Sequence, residues 1–277
     1  MEVRDRLVRA VLGLMAAVGS AGVLLIALAV AAEGWRALPH LFGPVWSPEE
    51  GRFGVLPLLA GSALVTLGSL AIAVPVGVGV GLFLSEVATP GLAAAVRPAL
   101  QGMAAVPSVV YGFLGLNLIV PGISRTLGGM GLSLLAGWLV LALMVLPTIA
   151  AVSEDALCAV DPALREGAYA LGASPGQVAW RLLLPAARRG ITAAVALALG
   201  RALGETMAVL MVLGNAAVLP RSPLDPARAL TANIALEMAY ATGLHREALF
   251  ASGALLLLIN LVVTQAARRA AGGGAGP

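Results

Sequence analysis

Arg201 and Glu205 stand four residues apart inside an apolar run from about Ile191 to Leu219, and ionisable side chains within such a run are costly unless they serve a purpose. At a helical rise of 1.5 Å per residue, Arg201 lies roughly 15 Å into that run, near the centre of a hydrocarbon layer about 30 Å thick. A spacing of four places Glu205 on the same helical face, so the two are expected to pair. Arginine before glutamate is the weaker order for helix stability, which makes local stabilisation a poor reason for the pair. Three roles stay open. The planar guanidinium suits a tetrahedral oxyanion in transit; the pair is a gate at which an anion competes with the carboxylate; or it is a self-neutralised lock within a helix bundle. Tyr111, Ser108 and Asn117 are polar residues of another apolar run that face either a cavity or buried neighbours.

A second group of residues lies in the segment 153–190, which reads as two short helices. Asp161-Pro162 is an N-cap followed by proline at the first helical position, and Gly172 is a stop signal. Ser174-Pro175-Gly176-Gln177 then opens a second helix with a capping box. Leu164, Ala168 and Leu171 share a face at helical spacing. A segment folded in this way is expected to be a docking surface.

The elements that must hold these residues are membrane spans. Mean hydropathy is +0.96, with 60% hydrophobic and 11% charged residues, far from the quarter or so of charged residues in a soluble domain. Six apolar runs are each long enough to cross a bilayer: about 11–32, 55–84, 100–120, 132–152, 191–219 and 248–265. The expected fold is therefore an all-α integral membrane protein, with a cytoplasmic N-terminus over 1–10, a transmembrane domain over 11–269 and a disordered Gly-rich tail over 270–277. The segment 153–190 is its longest cytoplasmic loop. Gly77 and Gly81 form a small-xxx-small pair that permits close helix packing.

Arginine placement sets the orientation. With the N-terminus inside, Arg4, Arg6, Arg9, Arg97, Arg165, Arg181, Arg188, Arg189, Arg268 and Arg269 are cytoplasmic, whereas Arg36, Arg52, Arg125, Arg221, Arg228 and Arg246 are outside. The excess favours N-in and C-in. All 17 basic residues are arginine, so there is no P-loop lysine and no Schiff base; any ATP is hydrolysed on another chain. Neither HExxH nor paired cysteine spacing occurs, and no metal site is expected. Gly172-Ala173-Ser174-Pro175-Gly176 fits G-x-S-x-G, but the preceding segment is helical and both histidines, His40 and His245, fall on the other side of the membrane. Short helices tethered to a bilayer do not suit a helix-turn-helix reader, so no nucleic-acid partner is expected.

Glu166-Gly167-Ala168, three residues, Gly172, nine residues and Leu182-Leu183-Leu184-Pro185 resemble the Glu-Ala-Ala motif of ABC importer permeases, with Gly167 for the middle alanine and Leu182 for isoleucine. The resemblance implies the type I permease fold and a coupling helix that sits in a groove of an ATPase, carried by Glu166, Gly167, Ala168, Gly172, Leu184 and Pro185. Gly200 to Val209 with Gly214-Asn215, Val106 to Phe113, and Phe83-Leu84-Ser85-Glu86 resemble the permeases of phosphate ABC importers, in the subunit conventionally labelled C, over about Phe42 to Arg269. That resemblance implies a bacterial inner-membrane permease importing inorganic phosphate by alternating access, with Arg201 and Glu205 in the substrate pathway. It also implies a second homologous permease, an ATPase dimer that carries ATP and magnesium, and an extracytoplasmic phosphate-binding protein, with no cofactor on this chain. Another oxyanion such as sulfate or molybdate is the alternative substrate; a secondary transporter or channel, which would bind no ATPase, is the alternative class.

Overall fold

The computed structural model describes residues 2–272 and is helical almost throughout. That is the expected outcome in a medium without water, where backbone groups must be satisfied within the helix itself. Helix α1, Glu2–Gly34, starts before the expected boundary at residue 11. Its apolar side chains from Val8 to Leu28 are exposed, and only its last turns pack, with Gly34 against the Ala251 backbone and Val30 beside Gly253. A short 3-10 turn, Trp35–His40, leads to a two-stranded hairpin, β1 Trp46–Ser47 and β2 Arg52–Phe53, in register Trp46↔Phe53 and Ser47↔Arg52.

Helix α2, Leu56–Glu86, packs most extensively on α5, Leu134–Cys158. The small residues permit this approach. A methyl group at Gly77 would fall 2.8 Å from Ile149, and one at Gly81 would fall 2.9 Å from the Ala150 carbonyl oxygen and the Glu154 amide nitrogen. Ser133 caps α5 by accepting from the Ala136 amide at 3.3 Å. At the other end α5 runs on to Cys158, beyond the expected boundary at 153, because Ser153 and Glu154 are buried and Glu154 pairs with Arg97 at 2.7 Å.

The third expected span, 100–120, is displaced. Helix α3, Pro90–Ala105, ends at Val106, whose extended backbone (φ −64°, ψ 129°) is what a following proline imposes. The crossing helix is α4, Ser108–Leu127, with a π turn at Gly115–Ile119 just before Pro121, which supplies no N–H to the ladder.

Helix α6, Pro162–Ala170, is followed by α7, Pro175–Ala186, which meets α8, Arg188–Leu203, at 68°. The expected fifth span, 191–219, is thus not one helix. It comprises α8 and a short α9, Met207–Val212, followed by an irregular return. Helix α10, Leu230–Glu237, precedes α11, Gly243–Gly272. The alanine-rich end of α11 continues past residue 270, as high helix propensity allows, and the remainder of the expected tail lies outside the described residues. Among the described residues, five helices are long and apolar enough to cross a membrane, or six if the bent pair counts as one. The main core lies between α2, α4, α5, α8 and α9, centred on Val65, Val140, Met144, Ile149, Ala198 and Val212.

Candidate functional site at the broken helix and the capped loop

Glycine is the weakest helix former short of proline, and α8 stops where Gly204 follows Leu203. Glu205 and Thr206 form the link, and Glu205 Oε1 accepts from the Ala208 amide at 3.0 Å, capping α9. Thr231 at the start of α10 donates its hydroxyl to the Glu205 carbonyl at 2.8 Å, which pins the link to that helix. Arg201 sits in the last turn of α8.

The expected ion pair is absent. Among the described residues, Arg52–Glu50, Arg97–Glu154, Arg165–Glu86 and Arg228–Glu237 pair, whereas Arg201 and Glu205 do not. Helix ends explain the difference. A cation is stabilised at a C-terminus and an anion at an N-terminus, so the break gives each charge its own compensating backbone. Both side chains are half-buried.

Helix α4 comes close to α9 at Gly112, where a methyl group would meet the Ala208 Cα at 2.9 Å. This contact brings Tyr111 within reach of the Arg201 charge, while its hydroxyl donates to the Met103 carbonyl at 2.7 Å. Asn117 does not join them; its amide donates to Phe113 in its own helix at 2.8 Å. Ser108 is half-buried at the start of α4.

The loop between α5 and α8 is built from local signals. Asp161 accepts from the Ala163 amide at 2.9 Å. Gly172 is left-handed (φ 80°), and the Ala173 and Gly172 amides donate to the Ala168 and Tyr169 carbonyls at 3.1 and 2.9 Å, the Schellman ending that favours glycine at this position. Ser174 and Gln177 close a capping box in both directions. Ala168, Leu182 and Leu184 pack on a small core of Leu157, Val160, Val178, Leu183 and Ala187. Leu183, fully buried, is the anchor that motif matching passed over. Glu166, Gly167 and Pro185 are exposed, and a methyl group at Gly167 would meet nothing within 4 Å. Leu164, Tyr169, Leu171 and Trp180 are also exposed, with Leu171 90% exposed. Apolar side chains presented together by a folded loop mark an interaction surface.

A buried network on the far face escaped sequence reading. Glu237 accepts from Trp46 Nε1 at 2.9 Å and from Arg228 at 2.7 Å, and His245 Nε2 lies 2.9 Å away. Arg228 also donates to Asn233 Oδ1 at 2.9 Å and to the Asn215 carbonyl at 2.7 Å. Asn215 itself adopts φ 54°, a left-handed conformation that asparagine tolerates. The signal available in sequence was Asn233 and Glu237 at helical spacing; Trp46, which donates to Glu237, is 191 positions from it. No group of three metal-ligating side chains occurs among the described residues.

Residues 73–271 match the family described as binding-protein-dependent transport system inner membrane component. A probable ABC transporter permease protein of Bacillus subtilis, YqgH, is 41% identical over 222 residues, covering 78% of this chain and 72% of that protein. The phosphate transport system permease protein PstC of Pasteurella multocida is 37% identical, covering 79% and 74%; that of Haemophilus influenzae is 35% identical, covering 87% and 84%. Among solved structures, an inward-facing MetNI methionine ABC transporter aligns with TM-score 0.59 at 23% identity, over 82% of this chain and 98% of that one. A bacterial ABC transporter that imports alginate aligns with TM-score 0.61 at 16% identity, over 80% of both. The likeness to these structures is one of fold. The chain belongs to the family of binding-protein-dependent transport system inner membrane components and is the permease part of an ABC importer.

Proposed function

From that membership, we propose that the chain is one of two homologous permeases that import inorganic phosphate by alternating access. Support for phosphate comes from the Pasteurella and Haemophilus relatives, which are named for phosphate transport. The observation that carries the chemistry is the broken helix. With Glu205 engaged by the Ala208 amide, Arg201 has no carboxylate partner among the described residues. Its planar donors are left for a tetrahedral oxyanion, which a guanidinium holds by charge-assisted hydrogen bonds. Irregular backbone at membrane depth is tolerated where it lines a cavity, and transporters place their substrate sites at such breaks.

The remaining parts follow from the loop. Glu166, Gly167, Ala168, Gly172, Leu184 and Pro185 form the element that seats in a groove of an ATPase dimer, by helix-in-groove recognition. ATP and magnesium are held on those ATPase subunits. An extracytoplasmic binding protein delivers phosphate to the face that carries Trp46 and Glu237, and both chain ends lie in the cytoplasm.

The test is reconstitution of both permeases, the ATPase and the binding protein in vesicles, with ATP-dependent uptake of labelled phosphate measured against unlabelled phosphate, arsenate, sulfate and molybdate. Phosphate and arsenate are expected to compete. Competition by sulfate or molybdate, with none from phosphate, would replace the substrate by another oxyanion. Uptake that needs no ATPase would overturn the importer reading.

A further inference from the structure

Arg165 immediately precedes Glu166 in α6, but its side chain turns inward, 21% exposed, while Glu166 faces solvent. Its Nη2 donates to the Leu157 carbonyl at 2.7 Å and lies 3.0 Å from Glu86 Oε1, and its Nη1 reaches the Val160 carbonyl at 3.4 Å. One guanidinium therefore joins the loop helix to the last residue of α2 and to the C-terminal end of α5.

Two features set this contact apart from an incidental surface pair. Glu86 lies in the final turn of α2, where the negative end of the helix dipole disfavours a carboxylate, and its side chain is only 17% exposed. Its placement opposes the local preference and is compensated by Arg165. Furthermore, α6 has no fully buried residue of its own; apart from the packing of Ala168 on the loop core, its hold on the membrane helices is the polar contact of Arg165.

Helix α5 carries that hold across the protein. Its outer end receives the Ser133 amide bond to the Val212 carbonyl, at 3.1 Å, which is the last residue of α9. One continuous helix, with Pro147 in its interior, thus runs from the Arg165 contact to the half-helix that Glu205 caps.

We propose that Arg165 is the positioning residue of energy coupling: it binds the docking helix to the ends of α2 and α5, so that the three move as one body when the ATPase closes. The inference rests on the reading of the loop as the ATPase-docking element. A guanidinium is suited to the task because its fixed fork donates to two carbonyls while its charge faces a carboxylate, which an ammonium does with less order.

The experiment uses the assembled transporter in a Cys158→Ser background, with spin labels on Val87→Cys beyond α2 and Ala163→Cys in α6. With Arg165 present, the label separation is expected to be the same in the nucleotide-free and vanadate-trapped states. In Arg165→Gln the separation is expected to differ between those states, while ions moved per ATP fall about tenfold, a typical size for coupling between sites. Arg165→Lys should recover part of the loss, and Glu86→Gln should reproduce it with α6 unaltered.

An unchanged ratio of transport to hydrolysis in Arg165→Gln overturns the proposal, as does a separation that changes equally in both proteins. Loss of the ATPase from the Arg165→Gln and Glu86→Gln complexes also overturns it, because the contact would then serve only to fold the loop. The label distances do not depend on the substrate. If they behave as expected while the parent takes up no phosphate, the substrate assignment fails and the positioning role stands.

Discussion

The Glu205 carboxylate is 3.0 Å from the Ala208 amide and forms no ion pair with Arg201, four residues before it. The helix that would have stacked the two ends at Leu203. A carboxylate at the start of one half-helix and a guanidinium at the end of the other are each stabilised by the backbone. Neither needs the other.

Arg201→Gln should lower uptake of labelled phosphate by roughly tenfold to a hundredfold, the worth of one charge-assisted hydrogen bond. Assembly with the ATPase, followed by copurification, should be unaffected, since Arg201 joins no ion pair among the described residues. Normal uptake would remove Arg201 from the pathway.

Glu205→Ala removes the cap on the Ala208 amide and should cost about 1 kcal/mol of stability. Glu205→Gln keeps an acceptor oxygen and should lose much less. Thermal unfolding of the two variants in detergent distinguishes them, and equal melting temperatures would count against the capping role.

Gly172 and Gly167 are expected to respond oppositely to alanine. The left-handed φ of 80° at Gly172 should make Gly172→Ala cost about 1–2 kcal/mol and reduce ATPase copurification. The helical, unobstructed Gly167 should accept alanine with a gain of up to about 1 kcal/mol and retain the ATPase.

Gly81→Leu would drive a side chain into the Ala150 carbonyl, 2.9 Å from its first carbon. Overpacking of this kind costs about 1–3 kcal/mol, and the measurement is the melting temperature. Leucine at Gly79, where nothing lies within 4 Å, is the matched control and should leave it unchanged.

Glu237→Ala leaves Arg228 and the Trp46 indole facing a buried gap. Removing one partner of a buried pair costs about 3–5 kcal/mol, so this variant should be the least stable of the set. A melting temperature close to the parent's would mean that the network is hydrated instead.

Apolar run lengths, arginine asymmetry and the caps around residues 161–177 were legible because each depends on local chemistry: the need to bury backbone in hydrocarbon, and side-chain oxygens that meet amides two or three positions away. Asp161, Gly172, Ser174 and Gln177 do in the structure what their types and spacing indicate. The family was legible on the same segments, because a capped helical loop is a local structure.

What stayed hidden was long-range or depended on competition between local and tertiary demands. Hydrophobic length makes Ile191 to Leu219 read as one span, since periodicity does not register a break that Gly204 permits and Glu205, Ala208 and Thr231 hold in place. Trp46 and Glu237 meet across 191 positions, and Arg165 meets Glu86 only because α2 and α5 end side by side at the loop. Sequence by itself determined a helical membrane protein, its capped loop and the two charges in its fifth apolar run, because solvent and backbone enforce those residue by residue. Tertiary structure alone decided which of these arginines meets a carboxylate: among the described residues Arg165 finds one and Arg201 does not, because charge partners are chosen by helix ends and packing rather than by distance along the chain.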